Sequence, residues 1–203
     1  MPQTFFGWVG FLLKQYGPLF LRGTANTLLV ALTGTLLGFA IGLLVAIART
    51  IETPPRASKV KKGLIRFLRG ALSVYIEVFR GTPMIVQAMV IYYGALQYFN
   101  LSMPELVAGI FIVSINTGAY MAEIIRGGII SVDGGQTEAA RSIGMTHWQT
   151  QVNVVLPQAI RNIMPSIGNE FVVNIKDSSV LNVIAVSELF FMSKSAAGTY
   201  LRY

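Results

Sequence analysis

The chain contains no cysteine. It therefore has no disulfide framework, and no thiolate to serve as nucleophile or metal ligand. It contains one histidine, His147, and a lone imidazole cannot assemble the ligand set of a zinc site. There is no Gly-Lys dipeptide, so a G-x-x-x-x-G-K-[ST] phosphate loop is excluded. No catalytic residue, metal site or cofactor site is identified. Charge is the largest deficit. Only 12% of residues are Asp, Glu, Lys or Arg, against about 25% in soluble domains. The first twenty residues lack a basic start and a small-residue cleavage site, so they do not read as a cleaved signal peptide.

What is present is apolar surface, at 53% of residues. Half the usual charge with that much apolar side chain points to lipid as the solvent, and the fold class expected is an all-α integral membrane protein. One domain is the default at 203 residues. The net charge of +7 fits basic cytoplasmic loops better than a nucleic-acid surface, so membrane lipid is an expected partner and nucleic acid is not.

Thr27–Ala48 carries twenty-two residues without a charge, enough to cross a bilayer core of about 30 Å. Gly34, Gly38 and Gly42 recur every fourth position there and share one face, a groove for a neighbouring helix. Ahead of this span, residues 1–23 hold Phe5, Phe6, Trp8, Phe11, Leu12 and Leu13. They read as an interfacial amphipathic segment, or alternatively as a disordered lead. After the span come Arg49, Arg56, Lys59, Lys61, Lys62, Arg66 and Arg69, with Glu52 as the one acid among them. A short loop this basic is expected on the cytoplasmic side.

Met84–Phe99 reads as a second span beginning at Pro83, with Asn100 and Pro104 forming the outer turn. Glu105 to about Ile125 returns inward, with Arg126 at the inner face. Pro157 to about Phe191 is a fourth region, too polar to face lipid on all sides. Within it Ser166, Glu170, Asn174 and Asp177 share a helix face. At about 1.5 Å per residue Glu170 lies roughly 20 Å from Pro157, close to mid-membrane. Asn116 reaches a similar depth on the third span. Two polar groups at one depth suggest a passage, and the alternative is a polar contact between helices. Glu170, Asn169, Asn174 and Asn116 are the candidate substrate-pathway residues, because one acid and several amides suit an amino acid's charged groups. A short echo, Glu77-x-x-Arg80 and Glu123-x-x-Arg126, places each acid within helical reach of its arginine.

The polar insert at residues 132–156 is expected to be cytoplasmic. Asp133 and Thr137 offer cap oxygens, Glu138 is placed in a first helical turn, and Gly144 is suited to end that helix. Thr146 and Gln149 fit a capping box opening a second short helix to Val155, with Pro157 starting the next span. Two short helices with a glycine elbow look like a docking element for another protein.

Glu138, Ala139, Ala140, three residues, Gly144, then a spacer to Val154, Leu156 and Pro157 resemble the EAA motif of bacterial ABC-importer permease subunits. Phe79–Gly94, Gly118–Ile129 and Asn169–Ile184 resemble the polar amino-acid subfamily of the histidine, glutamine, arginine and cystine type. The resemblance covers residues 24–203, taken as the permease domain. It implies a type I permease fold with four transmembrane regions in this chain and two cytoplasmic coupling helices. It further implies a homo- or heterodimer with a second permease subunit, a pair of cytoplasmic ATPase subunits that bind the ATP and magnesium, and an extracellular amino-acid-binding protein. Glu138, Ala139, Ala140, Gly144 and Met145 would form the joint with the ATPase, in a bacterial cytoplasmic membrane. Relatives of this subfamily carry a fifth span beyond the segment matching SAAGTYLRY, so a truncated chain is expected. The competing readings are a small secondary amino-acid transporter and a membrane assembly subunit. A membrane-embedded enzyme would need a nucleophile or metal cluster that the sequence does not offer.

Overall fold

The computed structural model describes residues 4–50 and 58–200. Among these residues every regular element is helical, as expected where backbone polar groups must find partners within their own segment. The elements are α1 (Phe5–Thr50), α2 (Lys59–Gly81), α3 (Met84–Phe99), α4 (Glu105–Ile130), α5 (Gly134–Ser142), α6 (His147–Thr150), a π-helical turn (Gln151–Val155), α7 (Leu156–Asp177), a 3₁₀ segment (Ser178–Ile184) and α8 (Leu189–Thr199). Two helices, Phe5–Arg49 and Glu105–Ile130, are long and apolar enough to cross a membrane, or up to four spans when each broken helix pair counts as one.

Several boundaries differ from the sequence reading. Residues 5–23 are not a separate segment, because α1 runs 46 residues without interruption, about 69 Å of helix. Of the basic stretch, Lys59, Lys61, Lys62, Arg66 and Arg69 lie on α2, a helix capped by the Ser58 side chain, and not in a loop. Arg56 falls outside the described residues. The α3 limits match the expected Met84–Phe99. Asn100 closes α3 in the left-handed region at φ 50°, a conformation that asparagine tolerates better than most residues.

The chain divides into two compact units. One comprises the residues up to Gly34, Pro83–Val113 and those from Val173 onward. Its core gathers Val30, Ala88, Ala108, Ile112, Val113, Leu181, Ile184 and Val186. In this unit Asn26 donates from Nδ2 to the Ser187 carbonyl at 2.7 Å. The Glu188 carboxylate, 1% exposed, accepts from the amides of Phe190 at 2.8 Å and Phe191 at 2.5 Å. A buried carboxylate is tolerated here because it satisfies two of the orphan donors at the start of α8.

The other unit comprises Thr35–Thr82 and Ser114–Val172. Here the glycine groove of α1 does what its spacing predicts. A Cβ on Gly38 would stand 2.7 Å from Thr117, and one on Gly42 would stand 2.5 Å from Met121. Glycine therefore lets α1 and α4 approach more closely than any larger residue would allow. Ile41, Leu72 and Tyr75 pack around buried Val45, Ile76 and Ala122. The Tyr75 hydroxyl donates to the Ile115 carbonyl at 2.6 Å.

Candidate functional site

The polar insert folds as two short helices and a glycine elbow. Asp133 caps α5, its Oδ1 accepting from the Gly135 amide at 2.8 Å. The helix thus begins at Gly134, earlier than expected. Glu138 lies in its second turn, where the helix dipole acts on it more weakly, and Thr137 is not the cap. The expected first-turn placement of Glu138 is corrected accordingly: an Asp followed by two glycines captures the cap before Thr137 can.

The C-terminus of α5 closes through two hydrogen bonds. Gly144 N–H donates to Arg141 O at 3.0 Å, and Met145 N–H donates to Ala140 O at 3.2 Å. This pair is the Schellman arrangement, and it requires a left-handed residue just past the helix end. Gly144 supplies it at φ 87°. No atom lies within 4 Å of where a Gly144 Cβ would sit. Glycine is needed there for its backbone angle, not for space. Ala140 is buried and Met145 half-buried inside the elbow, while Glu138 and Ala139 are exposed.

The capping box forms as read. The Thr146 hydroxyl accepts from Gln149 N–H at 3.3 Å, and Gln149 Oε1 accepts from Thr146 N–H at 2.8 Å. Arg141 donates to His147 Nδ1 at 3.0 Å, linking the last turn of α5 to the first turn of α6. Because guanidinium can only donate, Nδ1 is the acceptor. His147 thus braces the two short helices against each other.

The second short helix is not terminated at Val155. A π turn over Gln151–Val155 carries it directly into α7. Pro157 has no amide hydrogen to give the carbonyl four residues back, and its ring crowds that carbonyl. A wider turn just ahead relieves this conflict, with Leu156 N–H reaching back to Gln151 O. The Gln158 side chain covers the Val154 carbonyl at 2.9 Å. Pro157 therefore sits inside one helical run and does not open a new one.

At the membrane end, the insert is held by α4 and α7. Asn162 donates to the Ser131 hydroxyl at 2.9 Å, which in turn donates to the Gly128 carbonyl at 2.8 Å. Gly128 packs directly against Ile163 and Ala159. Beside this crossing, Glu123, Gly127, Ser131, Asn162 and Ser166 line a cleft of about 310 Å³. Glu123 meets Arg126 at 2.7 Å, as its spacing predicts, and also Arg49 at 2.6 Å. The second partner lies 74 positions away and leaves no local trace in the sequence. The parallel pair, Glu77 with Arg80, does not form among the described residues. Instead Arg80 lies 5.5 Å over the Tyr120 ring.

The proposed pathway residues divide. Glu170 and Asn174 are both buried on α7, consistent with their shared face, but Asn169 is exposed. Asn116 is nearly buried and donates to the Phe79 carbonyl at 3.2 Å, so at this position a contact between helices is in place.

The exterior of the insert is most strongly apolar beside the elbow. Ile143 is 80% exposed and Trp148 is 75% exposed. They flank the elbow on a frame of caps and braces. Such a rigid, aromatic projection suits insertion into a pocket of a partner protein.

Residues 63–200 match the family described as binding-protein-dependent transport system inner membrane component. The chain is 39% identical to the glutamine transport system permease protein GlnP of Escherichia coli K12, over 85% of this chain and 74% of that one. It is 41% identical to the L-cystine transport system permease protein TcyB of Bacillus subtilis, over 77% of this chain and 63% of that one. A crystal structure of an amino acid ABC transporter with histidines superposes with a TM-score of 0.83 at 39% identity, covering all of this chain and 86% of the other. The inward-facing MetNI methionine ABC transporter shares the fold, at a TM-score of 0.69 and 22% identity over 91% of this chain and 82% of the other.

Proposed function

The chain belongs to the binding-protein-dependent transport system inner membrane component family, and on that premise we propose that it is the permease subunit of an ATP-driven importer of polar amino acids. The observation that carries the reading is the insert itself: two capped helices presenting Ile143 and Trp148 outward and braced at their base through Gly128, Ser131 and Asn162. Such an element transmits force between a partner and the membrane helices. A bare loop would absorb it.

The partner that meets the elbow is a cytoplasmic ATPase subunit, which binds the nucleotide and magnesium. Glu138, Ala139, Ala140, Gly144 and Met145 form the joint, Ala140 and Met145 by packing the elbow and Glu138 by presenting a carboxylate. A second permease subunit completes the passage, and an extracellular binding protein delivers the amino acid. Glu170 and Asn174 are the buried groups offered to its ammonium and carboxylate. The relatives' names, glutamine and cystine, support a polar amino acid as cargo. The setting is a bacterial cytoplasmic membrane, with the insert and α2's basic end inside. In proteoliposomes holding the chain with its cognate ATPase, the binding protein is loaded with glutamine, cystine, histidine or arginine in turn. One loaded form is expected to stimulate ATP hydrolysis and uptake together. Uptake that proceeds without any ATPase would instead establish a secondary transporter.

A further inference from the structure

The N-terminal half of α2 combines two features that the import reading does not use. Val60, Leu64, Phe67 and Leu68 recur at i, i+4, i+7 and i+8 and are 81%, 66%, 75% and 42% exposed. Val74 and Val78 continue the same stripe, also exposed. Around the rest of the helix stand exposed Lys59, Lys61, Lys62 and Arg66, with Arg69 half-buried, and no acid occurs between Glu52 and Glu77. Further along, the helix turns a different face inward, where Leu72, Tyr75 and Ile76 join the core of their unit.

The basic residues are placed against the helix's own electrostatics. The start of a helix is its positive end and favours acids. The first turn of α2 has none and carries Lys59, Lys61 and Lys62 instead. Ser58 caps the end, accepting from the Lys61 amide at 3.3 Å, but adds no negative charge. Lys59 and Lys61, exposed and held where the dipole disfavours them, favour an anion outside the helix. From Lys59 to Arg66 the exposed cations spread over eight positions, roughly 10 Å along the axis, more than one small anion would span. Nor can this end lie in hydrocarbon, which is costly for each cation. One medium satisfies both faces: the boundary of an anionic leaflet, with acyl chains under the stripe and headgroups around the cations.

We propose that residues 59–70 of α2 dock on the bilayer surface and select anionic phospholipid headgroups there. The assignment rests on α2 alone and survives or fails independently of the transported substrate.

The test uses the full chain with the subunits that co-purify with it, reconstituted in vesicles. Phe67→Trp places a reporter on the stripe, and the signal of the two native tryptophans is subtracted using the unsubstituted protein. Brominated phosphatidylglycerol or brominated phosphatidylcholine is then added at the same mole fraction. The phosphatidylglycerol should quench the reporter severalfold more strongly, since each basic residue near an anionic surface favours contact by about fivefold. Lys59→Gln, Lys61→Gln, Lys62→Gln and Arg66→Gln together, or high salt, should bring the two lipids to near equality. The corresponding Lys→Arg variant should keep the preference, which separates loss of charge from loss of fold. Equal quenching by both lipids overturns the proposal, as does a preference that survives the glutamine substitutions. Absence of quenching by either lipid also overturns it, because the stripe would then lie against protein.

Discussion

A Cβ placed on Gly128 would overlap the Cγ2 of Ile163 and stand 3.3 Å from the carbonyl oxygen of Ala159. Its neighbour Gly127 has nothing within 4 Å of the same construction. The two glycines are adjacent in sequence, yet only one is a packing requirement. Gly128→Ala should cost about 1–3 kcal/mol through overpacking, and Gly127→Ala should be neutral or slightly stabilising in a helix interior. Thermal unfolding of the two variants in the same detergent checks the contrast, and equal melting temperatures would refute it.

Gly144 makes a different demand. Its φ of 87° is disfavoured for side chains, but the surrounding space is open. Gly144→Val should therefore cost about 1–2 kcal/mol of backbone strain and distort the elbow without any clash. Uptake should fall while the assembled complex still hydrolyses ATP. Gly144→Asn should retain more uptake than Gly144→Val, because asparagine visits the left-handed region more readily. Identical losses for both variants would remove backbone angle as the cause.

Trp148 is largely exposed and should matter to assembly more than to folding. Trp148→Ser should leave unfolding of the isolated chain within about 0.5 kcal/mol. Co-purification of the ATPase should drop about tenfold or more if the ring fills a partner pocket. Unchanged recovery of the ATPase would place the docking contact elsewhere.

Glu123 shares its carboxylate between Arg49 and Arg126. A double-substitution cycle with Glu123→Gln and Arg49→Gln should give a coupling of about 1 kcal/mol, near the top of the range for partly exposed pairs. The cycle with Arg126→Gln should give less. Arg126 is the more exposed partner, at 48% against 27% for Arg49, and a pair three apart on one helix gives only a few tenths. Equal couplings would show that solvent screens both contacts alike.

Glu170→Gln should reduce uptake at limiting substrate while leaving assembly intact, if the buried carboxylate meets the amino acid's ammonium group. Uptake assayed on complexes purified in equal yield checks this. An unchanged rate would return Glu170 to a structural role.

What the sequence made legible was what is local. The α3 limits follow from Pro83 and Asn100, and the elbow follows from Gly144 with Thr146 and Gln149, because caps and turns are decided by residues a few positions apart. The close approach at Gly38 and Gly42 was equally readable, since four-residue spacing fixes a helix face whatever lies opposite. The contact of Arg49 with Glu123 was not, because it depends on two helices meeting. Pro157 misled for an instructive reason. A proline is normally a boundary, but a π turn ahead of it removes the conflict, and nothing in Gln151–Val155 announces one. The basic stretch looked like a loop because its charge masks the apolar stripe of Val60, Leu64 and Phe67. On α7, periodicity anticipated that Glu170 and Asn174 share the buried side of the helix, whereas Asn169, adjacent to Glu170, is exposed.

The π turn also bears on how this chain tolerates changes in length. Its i to i+5 bonding stores one residue more than an α-helical turn would hold. Removing one residue from Gln151–Val155 would keep the register of everything after Pro157, but the run would then close as ordinary helix and bring the Pro157 ring back against the carbonyl four residues earlier. Removing one residue from an α-helical stretch such as Ile167–Phe171 would instead rotate every following side chain by about 100° and turn Asn174 away from its face. The extra position immediately behind the elbow thus belongs to Pro157: it can be removed without loss of register only if the proline is replaced as well.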